Sequence, residues 1–251
     1  MVAEPGYEAA AVAAEFIGAP VVRVPLRADA SHDLPAMLAV SKRQPVGLFY
    51  VCNPNNPTGS VTPRARITAL VAAAPRDSVV LLDEAYIHLC DEPRSVDLVR
   101  AGKNVVVLRT FSKAYGLAAL RVGYAMAQPE VIAELRKLHV PFEVNALAQV
   151  AALASLAAQD QMRERVGGVV AERERVYAEC VERGYPVVAS QANFLWLDVP
   201  ASAVELAFHG ERMGVVMRSF ADTGVRLTIG APEENDAALD VLASAREHGL
   251  L

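Results

Sequence analysis

Residues Asn104–Gly123 read NVVVLRTFSKAYGLAALRVG, an apolar run that leads into a loop with several polar side chains. The run at its start is the continuous apolar pattern that is typical of a strand covered on both faces of a sheet. Lys113 follows in a tight turn, with two hydroxyl residues, Thr110 and Ser112, just before it and Arg121 eight positions after it. The segment therefore predicts a buried strand that delivers an amine, two hydroxyl groups and a guanidinium to one loop.

Apolar runs and helical patterns alternate around this segment. We expect helices over Tyr7–Ile17 and Pro63–Ala73. We expect strands over Val21–Pro25, Val46–Val51, Val79–Leu82, Asn104–Arg109 and Arg121–Ala127. Strands that alternate with helices form a mainly parallel sheet with right-handed crossovers. The sequence thus predicts an α/β fold in three layers, with helices on both faces of a mainly parallel sheet.

The pattern changes after Glu130, where long helical stretches replace the alternation. One of them covers Gln161–Glu182, and we expect its charged side chains, Arg173 among them, on its solvated face. The other predicted elements are a helix at Ala146–Ala158, strands at Asn193–Val199, Val215–Arg218 and Val225–Ile229, and helices at Ala203–Met213 and after Pro232. The sequence therefore predicts a large domain over residues 1–145 and a smaller α+β domain over residues 146–251.

The composition is that of a folded protein without a nucleic-acid or membrane partner. Of the 251 residues, 53% are hydrophobic and 21% are charged, and the net charge of -5 comes without a run of Lys and Arg. No apolar run is long enough to span a bilayer, and the N-terminus lacks the pattern of a signal peptide. Neither the scattered histidines nor the three cysteines (Cys52, Cys90 and Cys180) have metal-ligand spacing. We expect a cytoplasmic protein with no metal site.

Polar segments follow three of the predicted strands at the point where each strand ends. NPNNPTG (Asn53–Gly59) follows the second strand, DEAY (Asp83–Tyr86) the third, and the Lys113 loop the fourth. Because ligands of parallel sheets lie beyond the carboxyl ends of the strands, we expect these segments to share one site. A lysine amine can form a Schiff base with an aldehyde, while hydroxyl groups and an arginine can hold a phosphate. Pyridoxal phosphate carries both groups and is the predicted cofactor. Taken alone, the loop fits an ordinary solvated turn equally well.

Asp83 is the predicted partner of the cofactor's ring nitrogen. A carboxylate at the end of a buried strand is costly without a positive partner, and a protonated pyridine would supply one. The alternative is that Asp83 caps a following helix. Tyr86 and Asn56 could both donate to the phenolic oxygen of the ring and stabilise its charge, although the sequence around Asn56 is also simply a good turn.

These segments resemble the class I/II, fold type I aminotransferases, most closely the group of histidinol-phosphate and aromatic aminotransferases. A fourth matching segment is VRLTIGAPEEN at Val225–Asn235. The spacing matches as well: 27 residues from Asn56 to Asp83, 30 from Asp83 to Lys113, and 8 from Lys113 to Arg121. The resemblance implies the fold type I large domain, a pyridoxal phosphate cofactor and a homodimer with active sites at its interface.

The resemblance also implies a role for each site residue. Lys113 would bind the cofactor aldehyde and later move a proton, Asp83 would pair with the pyridine nitrogen, and Asn56 and Tyr86 would contact the phenolic oxygen. Thr110, Ser112 and Arg121 would hold the phosphate. Tyr7 lies where the family places an aromatic ring on the pyridine; the alternative is a tyrosine packed in the core at a helix start.

Two arginines are the predicted substrate ligands. Arg226 resembles the arginine that binds the substrate α-carboxylate, for which a planar guanidinium is well suited; the alternative is an ordinary strand-end salt bridge. Arg218 lies where the histidinol-phosphate group places an arginine near the distal phosphate of the substrate, and aromatic aminotransferases share an arginine there. Asn56 is expected to border the substrate as well.

Three functions follow from the resemblance. The first is amino transfer between an amino acid or amine (histidinol phosphate or an aromatic amino acid) and a 2-oxo acid. The second is decarboxylation or another lyase reaction on the same scaffold. Family members carry a further region before the position of Tyr7, including a glycine-rich turn for the cofactor phosphate. Only six residues precede Tyr7 here, so we expect lysine chemistry with weakened cofactor retention. The third function is therefore that of a truncated paralogue without turnover.

Overall fold

Strands and helices alternate in the first part of the computed structural model, which describes residues 1–138 and 140–251. The elements of this part are β1 (Val2–Glu4), α1 (Ala9–Phe16), β2 (Arg23–Pro25), α2 (Leu34–Ser41), β3 (Leu48–Cys52), α3 (Arg64–Ala73), β4 (Val79–Asp83), α4 (Val96–Arg100), β5 (Val105–Thr110), β6 (Gly123–Met126) and α5 (Pro129–Arg136). The strands β3, β4 and β5 pair in parallel, and β6 joins the edge of β5 antiparallel. The prediction of a mainly parallel α/β sheet is confirmed.

Both faces of this sheet are covered, because successive side chains of a strand point to opposite faces. On one face, Phe49 and Val51 of β3 pack in a buried cluster with Met37 of α2 and Leu70 of α3. On the other face, the β3 residues Tyr50 and Cys52 pack in a second cluster that includes residues of β1 and α1. The carboxyl ends of β3, β4 and β5 are thus fixed from two sides.

The N-terminal segment forms a small sheet that the sequence did not predict. The strand expected over Val21–Pro25 is shorter, and it pairs in parallel with β1 rather than with the large sheet. The backbone N–H of Tyr50 donates to the carbonyl of Met1 at 3.0 Å, so β1 lies beside β3. A strand of three residues shows no recognisable period, which explains why β1 was missed. Because β1 lies beside β3, Tyr7 and Glu8, which follow β1, lie near the end of β3.

The second part of the chain contains α6 (Ala146–Ala157), α7 (Gln159–Glu182), β7 (Val187–Val188), β8 (Phe194–Leu197), α8 (Ala203–Arg212), β9 (Arg218–Phe220), β10 (Gly224–Thr228) and α9 (Pro232–Glu247). Its strands form an antiparallel sheet in the order β7-β8-β10-β9. Apolar side chains of β8 and β10 pack with α7, α8 and α9 in one buried cluster. The strand predicted at Val215–Arg218 begins only at Arg218, because Val215 still bonds to Gly210 at the end of α8. The domain boundary near residue 145 stays a prediction.

One expectation for α7 is wrong. Arg173 is 4% exposed, and its guanidinium donates to the carbonyls of Leu89 and Ala192 and pairs with Glu174 at 2.7 Å. Buried arginine is tolerated where such acceptors replace water. Among the described residues, no helix has the length and apolarity needed to cross a membrane.

Candidate active site

The predicted site residues meet in one cavity of about 490 Å³ at the carboxyl ends of β3, β4 and β5. All ten line it: Tyr7, Asn56, Asp83, Tyr86, Thr110, Ser112, Lys113, Arg121, Arg218 and Arg226. The sheet topology explains this convergence, because parallel strands end at the same edge. The antiparallel pair β9–β10 closes the cavity from the second part of the chain.

The loop after β3 is held rigidly. The Asn53 side chain accepts from the N–H of Thr62 at 2.8 Å and donates to its carbonyl at 3.0 Å. Gly59 has a φ of 70°, and a Cβ there would collide with the side chain of Ser190. The carbonyl of Gly59 accepts from the N–H of Gln191 at 2.8 Å. The loop is therefore fixed at both ends and joined to the second part of the chain.

Asn56 and Arg226 contact each other across the cavity wall. Arg226 Nη1 donates to Asn56 Oδ1 at 2.8 Å, and the guanidinium lies over the ring of Phe194 at 5.0 Å. Burial lowers the pKa of Arg226 from its ordinary value, and its Nε atom is buried without a hydrogen-bond partner. The partner of Arg226 is thus an amide and not a carboxylate. A guanidinium with an unpaired N–H favours an incoming anion.

Asp83 ends β4 with both carboxylate oxygens engaged. Oδ2 accepts from the hydroxyl of Tyr50 at 2.8 Å, and Oδ1 accepts from the N–H of Ala85 at 3.0 Å. The second bond closes a local turn and is not the helix cap given as the alternative, because the 3-10 helix that follows (Ile87–Leu89) has Tyr86 at its N-cap and no side-chain cap. Asp83 also lines the cavity. Burial raises the pKa of Asp83, although the hydrogen bonds and Lys113 act in the opposite direction. Such a carboxylate gains most from a cationic partner.

Tyr50 is a member of this group that sequence reasoning missed. The register of β3 and β4 places Cys52 beside Asp83, and Tyr50 lies two residues earlier on the same face. Burial raises the pKa of the Tyr50 hydroxyl and of the Cys52 thiol, so both stay protonated. Tyr50 therefore remains a donor to Asp83. The strand register was the signal that could have found it.

The Lys113 amine lies next to Tyr86, with Nζ 5.3 Å from the ring centroid. Tyr86 is 4% exposed, and its ring packs edge-on against Phe194 at 5.1 Å. Burial in the cavity, then the charges of Arg226 and Arg121, lower the pKa of Lys113 from its ordinary value. A lowered pKa raises the neutral, nucleophilic fraction of the amine at neutral pH.

The loop around Lys113 is shaped by its backbone. Thr110 Oγ1 accepts from the N–H of Ser112 at 3.0 Å, and Gly116, at a φ of 70°, donates to the carbonyl of Lys113 at 2.9 Å. Arg121 adopts the left-handed conformation, with φ 54° and ψ 53°. This conformation is uncommon for residues other than glycine, and here it ends a short 3-10 helix (Ala118–Leu120), a place where the left-handed conformation recurs. Its Nη1 atom donates to the carbonyl of Ala118 at 2.7 Å and lies 3.5 Å from Ser112 Oγ.

Tyr7 and Arg218 form the outer side of the cavity. Tyr7 is 37% exposed and precedes α1, so it does not pack in the core as the alternative required. Arg218 Nη2 donates to Glu8 Oε1 at 2.7 Å, and its guanidinium lies over the ring of Phe220 at 4.9 Å. Both residues are accessible to a ligand in the cavity.

A buried ion pair supports the cavity from below, and sequence reasoning missed it. Arg109 Nε donates to Glu84 Oε2 at 2.9 Å, and Glu84 Oε1 accepts from the N–H of Ser95 at 2.6 Å. The two side chains are 8% and 3% exposed. Arg109 also lines the cavity, as does Tyr124 of β6. Within residues 1–138 and 140–251, no group of three His, Cys, Asp or Glu side chains has the geometry of a metal site.

Comparison with known proteins agrees with this geometry. The family description "Aminotransferase class I and II" matches residues 1–242. The aromatic amino acid aminotransferase of Rhodococcus jostii is 47% identical over 245 residues, which cover 97% of this chain and 68% of that protein. The chain spans about two thirds of the length of the curated relatives that it matches.

Two solved structures are similar over nearly the whole chain. The histidinol-phosphate aminotransferase of Sinorhizobium meliloti in complex with pyridoxal-5'-phosphate is 29% identical with a TM-score of 0.87, over 97% of this chain and 70% of that chain. The L-threonine-O-3-phosphate decarboxylase of Porphyromonas gingivalis is 25% identical with a TM-score of 0.82, over 98% of this chain and 76% of that chain. The chain therefore belongs to aminotransferase class I and II, a pyridoxal-phosphate-dependent family, and has its fold type I architecture.

Proposed function

We propose that the chain is a pyridoxal-phosphate-dependent aminotransferase that moves an amino group between an amino acid or amine and a 2-oxo acid. The observation that carries the proposal is the placement of Lys113, Asp83 and Arg226 in one cavity. The aromatic substrates named for the Rhodococcus jostii relative, and histidinol phosphate named for the Sinorhizobium meliloti structure, define the donors to test first.

The cavity residues fit pyridoxal phosphate. Asp83 is a largely buried carboxylate whose pKa is raised by burial, and a protonated ring nitrogen beside it would stabilise the charged carboxylate. Asn56 gives its oxygen to Arg226, which leaves its amide N–H groups for the phenolic oxygen, together with Tyr86. Arg121, Ser112 and Thr110 would hold the phosphate. When bound, the cofactor supplies an electron sink for the bonds at the substrate Cα.

Each protein group has a separate task in the reaction. With an amino-acid donor, the Arg226 guanidinium binds the α-carboxylate and so orients the substrate. The Lys113 amine accepts the proton from the substrate Cα, and its lowered pKa increases the neutral fraction that is free to do so. The ionised carboxylate of Asp83 would stabilise the protonated, positively charged form of the ring nitrogen. Retention of the α-carboxylate by Arg226 favours transfer over decarboxylation.

We also propose a homodimer in the cytoplasm. Support for the dimer comes from the family and from an apolar stripe on the exposed side of α6, where Leu147, Val150 and Leu153 are between 67% and 75% exposed. Such a stripe is typical of a surface that another chain covers.

A product assay with added cofactor tests the proposal. Formation of a 2-oxo acid from an aromatic donor, together with amination of the acceptor, is the expected result. The Porphyromonas gingivalis neighbour makes decarboxylation the second candidate, and carbon dioxide release without a 2-oxo acid would favour it. Borohydride reduction followed by peptide mapping should place the cofactor on Lys113. Cofactor binding without either product would indicate a protein that has lost turnover.

A further inference from the structure

An ion pair lies between the candidate active site and a second cavity. Glu8 Oε1 and Arg218 Nη2 are 2.7 Å apart, and the pair joins residues 210 positions apart in the sequence. Arg218 and Tyr7 line both the first cavity and a neighbouring cavity of about 360 Å³, and Glu8 lines the second. The pair therefore lies where the first cavity adjoins the second.

The surroundings of Arg218 favour an anion. Arg218 is the direct cross-strand partner of Arg226 in the β9–β10 pair. Like charges directly opposite each other in a sheet repel, so a negative group beside them is stabilising. Glu8 is that group. Burial alone would raise the pKa of its carboxyl, but a backbone hydrogen bond and Arg218 hold the pKa below its ordinary value. Glu8 is therefore charged at neutral pH.

We infer that Glu8 is a specificity-determining residue whose carboxylate occupies Arg218 in place of the distal anion of a substrate. The inference rests on the proposed function, in which Arg226 holds the α-carboxylate of the amino donor. A donor with a distal phosphate must displace Glu8 from Arg218 and also approach its negative charge. A donor with an uncharged aromatic side chain leaves the pair intact. Glu8 thus favours aromatic donors over phosphate-bearing donors.

Equilibrium binding of two matched probes to the cofactor-loaded chain tests the inference. The probes are 3-phenylpropanoate and 3-(4-phosphonophenyl)propanoate, which share the carboxylate for Arg226 and differ in the distal anion. In Glu8→Gln, the preference for the phosphonate should rise about fivefold over the wild-type chain, the scale expected for a half-exposed ion pair. Glu8→Ala is a second variant with the same expected rise. In the double variant Glu8→Gln/Arg218→Gln, the rise should disappear, because Glu8 acts through Arg218.

Glu15→Gln is the matched control. Glu15 lies on α1 and pairs with Arg23 at 2.8 Å, with similar exposure, but neither residue lines the first cavity. Its probe preference should equal that of the wild-type chain. An unchanged preference in Glu8→Gln and Glu8→Ala, or an equal rise in Glu15→Gln, would overturn the inference, as would failure of every form to bind either probe. Binding requires no turnover, so a chain that passes this test but forms no 2-oxo acid would defeat the proposed function alone.

Discussion

The floor of the cavity and its rim each contain an ion pair. The two pairs have nearly the same length, but we expect them to contribute differently to the stability of the fold. On the floor, Arg109 and Glu84 are 2.8 Å apart and at most 8% exposed; on the rim, Arg218 and Glu8 are 2.7 Å apart and about half exposed. Breaking a buried pair leaves a charge without water or partner, whereas an exposed pair exchanges one partner for solvent. We therefore expect the Arg109–Glu84 pair to contribute more to the free energy of unfolding. The Arg218–Glu8 pair can affect the choice of substrate at little cost in stability.

Replacement of Lys113 should give the largest effect. We expect Lys113→Ala to lower the transamination rate by on the order of a thousandfold or more, because the only amine in the cavity among the described residues is lost. Rates with an aromatic donor and peptide mapping after borohydride reduction measure it. Lys103→Ala, outside the cavity, is the control. Substantial activity in Lys113→Ala would contradict the assignment of the amine.

The buried pair should give the next largest effect, on folding. Glu84→Gln should lower the free energy of unfolding by about 3 kcal/mol, because Arg109 then lies buried without a counter-charge. Denaturant unfolding monitored by circular dichroism measures the change. In Glu134→Gln, which removes an exposed pair with Lys137, the loss should stay below about 0.5 kcal/mol. Equal losses in the two variants would contradict the larger contribution that we expect from the buried pair.

Replacement of Asp83 should change activity and stability in opposite directions. We expect Asp83→Asn to lower the transamination rate by about a hundredfold, since a neutral amide no longer holds charge at the ring nitrogen. The free energy of unfolding should instead rise at neutral pH in the cofactor-free chain. The folded-state pKa of Asp83 is raised, so the stability of the wild-type fold falls as the pH rises from the ordinary carboxyl pKa to the raised one, and the full loss is present at neutral pH.

Thermal unfolding of both forms across the acidic range tests this sign. The stability advantage of Asp83→Asn should shrink as the pH falls through the raised pKa and vanish below the ordinary carboxyl pKa, where the wild-type carboxyl is protonated in both states. A constant advantage over the whole range would mean that titration of Asp83 is not its cause.

Loss of the ion pair at the rim should have only a small effect on stability. Glu8→Gln is expected to change the free energy of unfolding by less than about 1 kcal/mol, because its pair with Arg218 is exchanged for water. Denaturant unfolding of Glu8→Gln and Glu84→Gln under the same conditions compares the exposed pair with the buried pair directly. A loss as large as that of Glu84→Gln would place Glu8 among the structural residues.

The sequence predicted the residues that line the cavity better than the residues that hold them in place. Residues at strand ends were found because a parallel sheet brings its carboxyl ends together. Tyr50, by contrast, reaches Asp83 through strand register, and Glu84 pairs with an arginine 25 positions away, which no local pattern indicates. Arg173 was placed in solvent because its acceptors are carbonyls of distant loops. The pairing of β2 with β1 was missed because both strands have only three residues.

Gly59 allows the loop after β3 to approach Ser190 in the second part of the chain more closely than a residue with a side chain could. Gly59 admits no methyl group beside Ser190, and its carbonyl is tied to the N–H of Gln191. Asn56 lies in the same loop as Gly59, and its side chain accepts a hydrogen bond from Arg226 of β10 at 2.8 Å. A larger residue at position 59 would therefore move the loop that carries Asn56 away from Ser190, and the spacing between the Asn56 amide and the Arg226 guanidinium would change with it.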